Sequence, residues 1–251
     1  MRSNQQSVED PRLHHAPWRP IRTSELVRVW AAFVLPVALV VLVILLLLKV
    51  TDFRALVPSG SVWTLSVLLT VVPVISVWCS VRRWSSADLG FIGLGRRGFH
   101  LFWQVPIAIV AALTATALVG TSLGLSPHEN SSTQDAGTPI VAVVLLLAYL
   151  ILGPIVEEVL VRRFTMYWLE EKILTVTGRP RLAVAGSVVL SSLVFALLHV
   201  IIPVILWTFF LGLGCAVLTR LHHSLWAGLI LHTVNNLIAS TALVAVMFGA
   251  G

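Results

Sequence analysis

The chain has 251 residues, of which 57% are apolar and only 11% are charged, whereas a soluble domain typically carries about 25% charged residues. This composition excludes an ordinary water-soluble domain and indicates a protein embedded in lipid. The net charge of +6 does not indicate nucleic-acid binding, because the basic residues lie singly or in pairs between long apolar runs, as headgroup anchors do.

Seven apolar runs follow a polar tail over residues 1–26, which we expect to be disordered. Each run approaches the roughly 20 residues that an α-helix needs to cross the hydrocarbon core. The runs are unbroken, whereas the strands of a membrane barrel alternate in polarity over about ten residues. They are Val27–Lys49, Val62–Val81, Leu101–Leu125, Ile140–Val161, Ala183–Ile202, Val204–Leu221 and Leu225–Phe248. The sequence therefore predicts an all-α, polytopic transmembrane helical bundle of seven or eight spans.

Basic residues are distributed unequally along this bundle. Of the 17 Lys and Arg residues, only Lys49 and Arg54 fall in the odd-numbered loops. The rest lie in the N-terminal tail, in the even-numbered loops or at the span ends beside them. By the positive-inside rule the N-terminus is cytoplasmic. We therefore expect an integral membrane protein, in the plasma membrane of a bacterium.

Three groups of residues that contain polar side chains fall inside the predicted spans, where polar and ionisable side chains are costly and usually functional. They are Glu157, Glu158 and Arg162 in the fourth span, Phe195 and His199 in the fifth, and His232 and Asn236 in the seventh. Each group contains an i, i+4 pair, which shares a helix face, so Glu158 and Arg162 can form an ion pair. Glu157 and His199 are equally far from Gly178 in sequence, so a helical hairpin that turns there would bring them face to face.

The chemistry of these groups suits hydrolysis without a covalent intermediate. A buried glutamate can act as a general base on water. Histidine and asparagine side chains can polarise a carbonyl and stabilise the oxyanion that forms on it. Alternatively, His199, His232 and a glutamate could bind zinc, although the chain contains no HExxH motif.

The three motifs, in this order and on these helices, resemble the CPBP intramembrane protease family. That family comprises the CAAX prenyl endopeptidases and the related bacteriocin-processing and immunity proteins. Its pattern is EExxxR, then FxxxH, then HxxxN or HxxxD, and the chain matches every motif position within Ile140–Ala239.

The resemblance implies an intramembrane endopeptidase that cleaves a membrane-associated, CAAX-like and prenylated substrate near the cytoplasmic face. The roles that it implies are water activation by Glu157 with His199 and His232 alongside, oxyanion stabilisation by Asn236, and support of the first motif by Glu158 and Arg162. The resemblance implies that the enzyme requires no cofactor. A divalent metal such as zinc is the alternative. The expected partners are the lipid bilayer and a peptide or protein substrate, not nucleic acid.

The chain then divides into a cytoplasmic tail over residues 1–26, N-terminal transmembrane helices over 27–125 and a catalytic transmembrane core over 140–248. Two other functions would also explain the polar cluster. One is a non-proteolytic immunity or scaffold protein of the same family, in which the cluster stabilises the fold or binds a peptide. The other is an ion-coupled transporter. Complete motifs favour catalysis, and the absence of inverted repeats from the sequence disfavours a transporter.

Overall fold

The computed structural model describes residues 18–50, 61–125, 143, 146–199 and 202–240, and the regular elements within these ranges are all helical. The elements are α1 (Thr23–Val50), α2 (Ser61–Val81), a 3₁₀ turn (Gly95–His100), α3 (Leu101–Ser122), π-helical Ala148–Leu152, α4 (Gly153–Glu157), π-helical Glu158–Met166, α5 (Tyr167–Thr177), α6 (Pro180–Leu197), α7 (Ile202–His222) and α8 (Leu225–Ala239). The predicted all-α class is confirmed for this part of the chain.

Within the described residues, four helical segments are long and apolar enough to cross a membrane, namely Thr23–Val43, Gly95–Ser122, Pro180–Leu197 and Val204–His222. Leu69–Val81 and Leu225–Ala239 are shorter apolar helices. The start of the predicted fourth span, residues 140–142, and the end of the seventh, residues 241–248, lie outside the described residues. The fold is thus a polytopic helical bundle, while a count of seven or eight spans stays a prediction.

The bundle is apolar on its outside and polar at several points inside. Large apolar side chains such as Leu35, Phe102 and Leu118 are well exposed, whereas Glu158 and Arg162 are completely buried. A water-soluble protein rarely exposes apolar side chains on this scale or buries charges so fully. Lipid around the bundle explains the exposed apolar side chains, and mutual pairing inside the bundle explains how the two charges can be buried.

The N-terminal segment departs from the prediction of a disordered tail up to residue 26. Helix α1 begins at Thr23 instead of Val27, and Trp18 and Ile21 before it are buried in the core. The Glu25 carboxylate accepts a hydrogen bond from the Arg22 backbone N–H at 2.9 Å, which satisfies one free donor at the helix start. Burial of the two apolar side chains outweighs the polar average of the segment.

The hairpin predicted around Gly178 is confirmed. Helix α5 ends at Thr177, and Gly178 adopts the left-handed conformation, with φ of +61°, that commonly ends a helix. Its N–H donates to the Leu174 carbonyl at 2.8 Å, and α6 begins at Pro180, which needs no N–H partner there. The helix over 146–177 and α6 therefore pack side by side and run in opposite directions.

Arg163 ties the segment before α1 and the turn after α2 to the π-helical segment Glu158–Met166. It is 1% exposed, and its guanidinium donates from Nε to the Asp88 carbonyl and from Nη2 to the Arg19 carbonyl, both at 2.6 Å. The guanidinium carbon also lies 5.4 Å from the ring of Trp18. Hydrogen bonds from Ser85 hold the pKa of the Asp88 carboxyl below its usual value and fix that turn. Arg163 is thus a packing residue, not the headgroup anchor that its position in the sequence predicts.

Candidate active site

The three motifs meet at one cavity of about 670 Å³ among α2, α4, α6, α7 and α8. The motif residues that line it are Glu157, Phe195, His199, His232 and Asn236. Glu158 and Arg162 lie behind this surface, away from the cavity. Residues that are far apart in sequence therefore share one enclosed space, as the hairpin argument predicts for Glu157 and His199.

The two adjacent glutamates have different environments. The Glu157 side chain is 27% exposed and faces the cavity, whereas that of Glu158 is fully buried. Glu158 Oε2 lies 3.4 Å from Arg162 Nε, and this guanidinium is also fully buried. The predicted ion pair is therefore confirmed, and it neutralises the charge that lies deepest in the site.

His232 lies between the two glutamates. Its Nδ1 is 3.3 Å from Glu158 Oε1, and its Nε2 is 3.6 Å from Glu157 Oε2. Both are ion-pair distances, and neither contact meets hydrogen-bond geometry. Nδ1 thus faces the buried carboxylate of Glu158, and Nε2 faces Glu157 beside the cavity.

His199 lies two residues beyond the end of α6, not within a helix that continues to Ile202 as predicted. The Leu198 N–H donates to the Phe195 carbonyl, and the His199 N–H donates to the Ala196 carbonyl. Both hydrogen bonds span three residues, as in a 3₁₀ turn, which is common at the end of an α-helix. His199 Nδ1 also lies 3.2 Å from the Phe195 carbonyl, so it carries the proton and leaves Nε2 free to accept. The Phe195 ring still packs on both histidines, with centroids 5.4 Å from His199 and 5.3 Å from His232.

Asn236 is anchored by the π-helical segment Ala148–Leu152. Its Nδ2 donates to the Tyr149 carbonyl at 3.0 Å, and one turn earlier Thr233 Oγ1 donates to the Leu150 carbonyl at 3.1 Å. A π-helix pairs its backbone at i→i+5, which alters the regular helical ladder and occurs often at functional sites. The carbonyls of this segment hold α8 in place, and one of the two amide N–H groups of Asn236 is committed to it.

Other residues line the cavity that the sequence does not assign to a site. They include Thr70, Tyr149, Trp207, Thr208 and Asn235. Asn235 Nδ2 donates to Asn236 Oδ1 at 3.2 Å and so orients the neighbouring amide. In the sequence, a single hydroxyl-bearing residue within an apolar run looks the same whether it lines a cavity or faces lipid.

The zinc alternative requires three or more ligand atoms about 2.0–2.3 Å from one point. Among the residues described by the structure, no group of three or more His, Cys, Asp and Glu side chains could hold a metal ion. His232 shows the reason, since its two nitrogens face two different carboxylates. Catalysis without a metal stays a prediction.

Residues 139–238 match the family model described as type II CAAX prenyl endopeptidase Rce1-like. No curated protein and no solved structure matches the chain. The matched segment holds all three motifs and nearly coincides with Ile140–Ala239, over which they resemble the CPBP family. This is a protease family, and together with the apolar helices it indicates an integral membrane protein. Over residues 139–238 the chain is therefore similar to the type II CAAX prenyl endopeptidase Rce1-like family.

Proposed function

We propose that the protein is an intramembrane endopeptidase that hydrolyses a peptide bond of a membrane-associated substrate near the cytoplasmic face, with Glu157 as the general base. One observation carries this proposal. Of two adjacent glutamates, Glu158 is sealed against Arg162, while Glu157 opens to a cavity beside two histidines and an amide. A carboxylate with access to water is what a base needs, and a purely structural pair would leave neither glutamate in the cavity.

The first step is attack by water. The Glu157 carboxylate takes a proton from a water molecule in the cavity, and the water oxygen bonds to the scissile carbonyl carbon. His232 Nε2 lies 3.6 Å from Glu157 Oε2, and His199 lines the same cavity. Since Glu157 takes one proton of the water, one of the two imidazoles can accept a hydrogen bond from the other O–H and so orient the water for attack.

The second step is collapse of the tetrahedral intermediate. Asn236 has two amide N–H groups, of which one donates to the Tyr149 carbonyl. The second is available to the oxyanion, and one such donor typically contributes about 10²–10³-fold in rate. The C–N bond then breaks, and Glu157 returns its proton to the departing amine.

Glu158 acts through His232 and not on the substrate. Its carboxylate lies 3.3 Å from His232 Nδ1. We expect it to favour a proton on that nitrogen and to orient the ring, as the buried aspartate does in serine hydrolases. Arg162 Nε lies 3.4 Å from the Glu158 carboxylate and offsets its charge. Glu158 and Arg162 are thus positioning residues.

The substrate class follows from the setting of the cavity. Its volume of about 670 Å³ falls within the range of ligand pockets, and its walls are mainly apolar. It lies in helices that belong in lipid, so a peptide held at the membrane can reach it. Because the matched family model is described as type II CAAX prenyl endopeptidase Rce1-like, we propose a prenylated C-terminal peptide as the first substrate to test.

The test is cleavage of a membrane-tethered peptide library by the purified protein in lipid nanodiscs. Half of the library carries a farnesyl group near its C-terminus, and the other half carries a palmitoyl anchor on the same peptides. We expect new termini, identified by mass spectrometry, within a few residues of the anchor. If folded protein leaves both halves intact, the non-proteolytic scaffold takes the place of the enzyme.

We expect catalysis without zinc. The purified protein should contain well under one zinc atom per chain, and strong chelators should leave cleavage unchanged, because the histidines serve a carboxylate and not a metal. Elemental analysis and chelator titration measure the two quantities, with exposed His100→Ala as the control for His199→Ala. Stoichiometric zinc that is lost together with activity in His199→Ala would reverse this prediction.

A further inference from the structure

Glu158 lies in a niche formed by α7 and α8. A methyl group added at Gly228 would lie 2.7 Å from Glu158 Oε2, 2.5 Å from Thr219 Oγ1 and 3.0 Å from the Cys215 carbonyl oxygen. Real Cβ atoms essentially never approach other heavy atoms more closely than 3.0 Å. Only glycine at position 228 therefore allows the carboxylate to occupy its present place.

The niche is closed on the side of α7. Thr219 and Cys215 are completely buried there. One turn further along, a methyl group at Gly212 would lie 3.3 Å from Arg162 Nη2. A side chain at position 228 could not move toward α7 to avoid Glu158, because the Thr219 hydroxyl and a backbone carbonyl already limit that space.

Gly214, which is part of α7 and also faces α8, offers a contrast. A methyl group added there would meet Leu231 Cδ2 at 3.0 Å and Ala108 Cβ at 3.5 Å, and the first is the far end of a flexible apolar side chain. Close packing of helices explains Gly214 completely. At Gly228 the nearest atoms are instead a threonine hydroxyl and the site carboxylate.

We propose that Gly228 is a positioning residue of the active site, since it fixes the Glu158 carboxylate and, through it, the orientation and tautomer of His232. The expected effect on catalysis rests on the proposed function. The contacts of Gly228 do not depend on that function. The contacts run from Gly228 to Glu158, then 3.3 Å to His232 Nδ1, and from His232 Nε2 3.6 Å to Glu157. A shift of Glu158 by a few tenths of an ångström would weaken each later contact.

The experiment compares Gly228→Ala with the control Gly214→Ala in nanodiscs. Gly228→Ala should lower kcat by about 10- to 100-fold, the usual effect of losing a residue that orients a site histidine. KM should stay unchanged, because Gly228 is not among the residues that line the cavity. Gly214→Ala should keep the wild-type kcat. A folded Gly228→Ala protein with wild-type kcat would overturn the inference.

A second readout does not require activity. In protein labelled with ¹⁵N-histidine, with His232→Gln to assign the signal, we expect His232 to carry its proton on Nδ1 in the wild type and to lose this preference in Gly228→Ala. If Gly228→Ala changes the His232 signal although the wild type cleaves no peptide, the proposed function fails and the positioning role stands. If the wild type cleaves peptides and the His232 signal is the same in both proteins, the positioning role fails alone.

A double variant covers the case in which Gly228→Ala does not fold. Glu158→Asp shortens the carboxylate by one methylene and makes room for the added methyl group. We expect Gly228→Ala/Glu158→Asp to fold and to melt above Gly228→Ala. If the single and the double variant lose folding equally, Glu158 is not the side chain for which Gly228 leaves room, and the inference would be withdrawn.

Discussion

Glu157→Gln should lower the rate of peptide cleavage by about 10²–10⁴-fold, the range expected when a general base is removed. Glutamine keeps the shape of the side chain but cannot accept a proton from water. The Glu157 side chain is 27% exposed, and it is Glu158, not Glu157, that pairs with the buried Arg162. The substitution therefore leaves no buried charge unpaired, and we expect the variant to fold and to insert in the membrane like the wild type.

The measurement is cleavage of the tethered peptide library, with a melting curve on the same samples. Glu171→Gln makes the same chemical change at an exposed position of α5 and serves as the control. It should cleave at the wild-type rate. If Glu157→Gln also cleaves at that rate, Glu157 is not the base, and the cluster has the structural or peptide-binding role of a scaffold.

Arg162→Ala should reduce stability as well as activity. The substitution leaves the fully buried Glu158 without its ion partner, which typically costs about 3–5 kcal/mol of the free energy of unfolding. It also removes a guanidinium that lies 5.2 Å from the ring of Phe195. Loss of the Glu158 position then disturbs His232, so the folded fraction that remains should cleave slowly.

The matched control is Arg181→Ala, in which the same side chain is removed from an exposed site on α6. A double replacement separates charge from shape. Because a buried ion pair can be replaced by apolar residues at little cost, Glu158→Leu/Arg162→Met should recover much of the melting temperature but none of the activity. An Arg162→Ala protein that melts with the wild type would contradict the account of the ion pair.

Much of the candidate site could be predicted from spacing alone. Glycine followed two residues later by proline is a strong signal for the end of one helix and the start of another, and Gly178 does form that turn. The equal distance of Glu157 and His199 from it then brings both to one cavity. The Glu158–Arg162 ion pair follows likewise from a separation of four residues on one helix.

The division of labour between the glutamates could not be predicted in this way. Glu157 and Glu158 are identical in chemistry and adjacent in sequence, so only the packing of α7 and α8 decides which one is buried. His199 shows a related limit, because an apolar run does not reveal that its helix ends at Leu197. The burial of Arg163 could not be predicted either, because it depends on the backbone carbonyls of Asp88 and Arg19, which are distant in the sequence.

The π-helical stretch Glu158–Met166 has a consequence for how relatives of this chain should be aligned. A π-helical turn holds one residue more than an α-helical turn, and such a bulge arises or vanishes with the gain or loss of one residue without breaking the helix. A relative with one residue fewer between Glu158 and Tyr167 would still form a continuous helix at this point. Alignments of the family should therefore permit a single-residue gap inside these nine residues, directly after the paired glutamates, where a helix would ordinarily be scored as free of gaps.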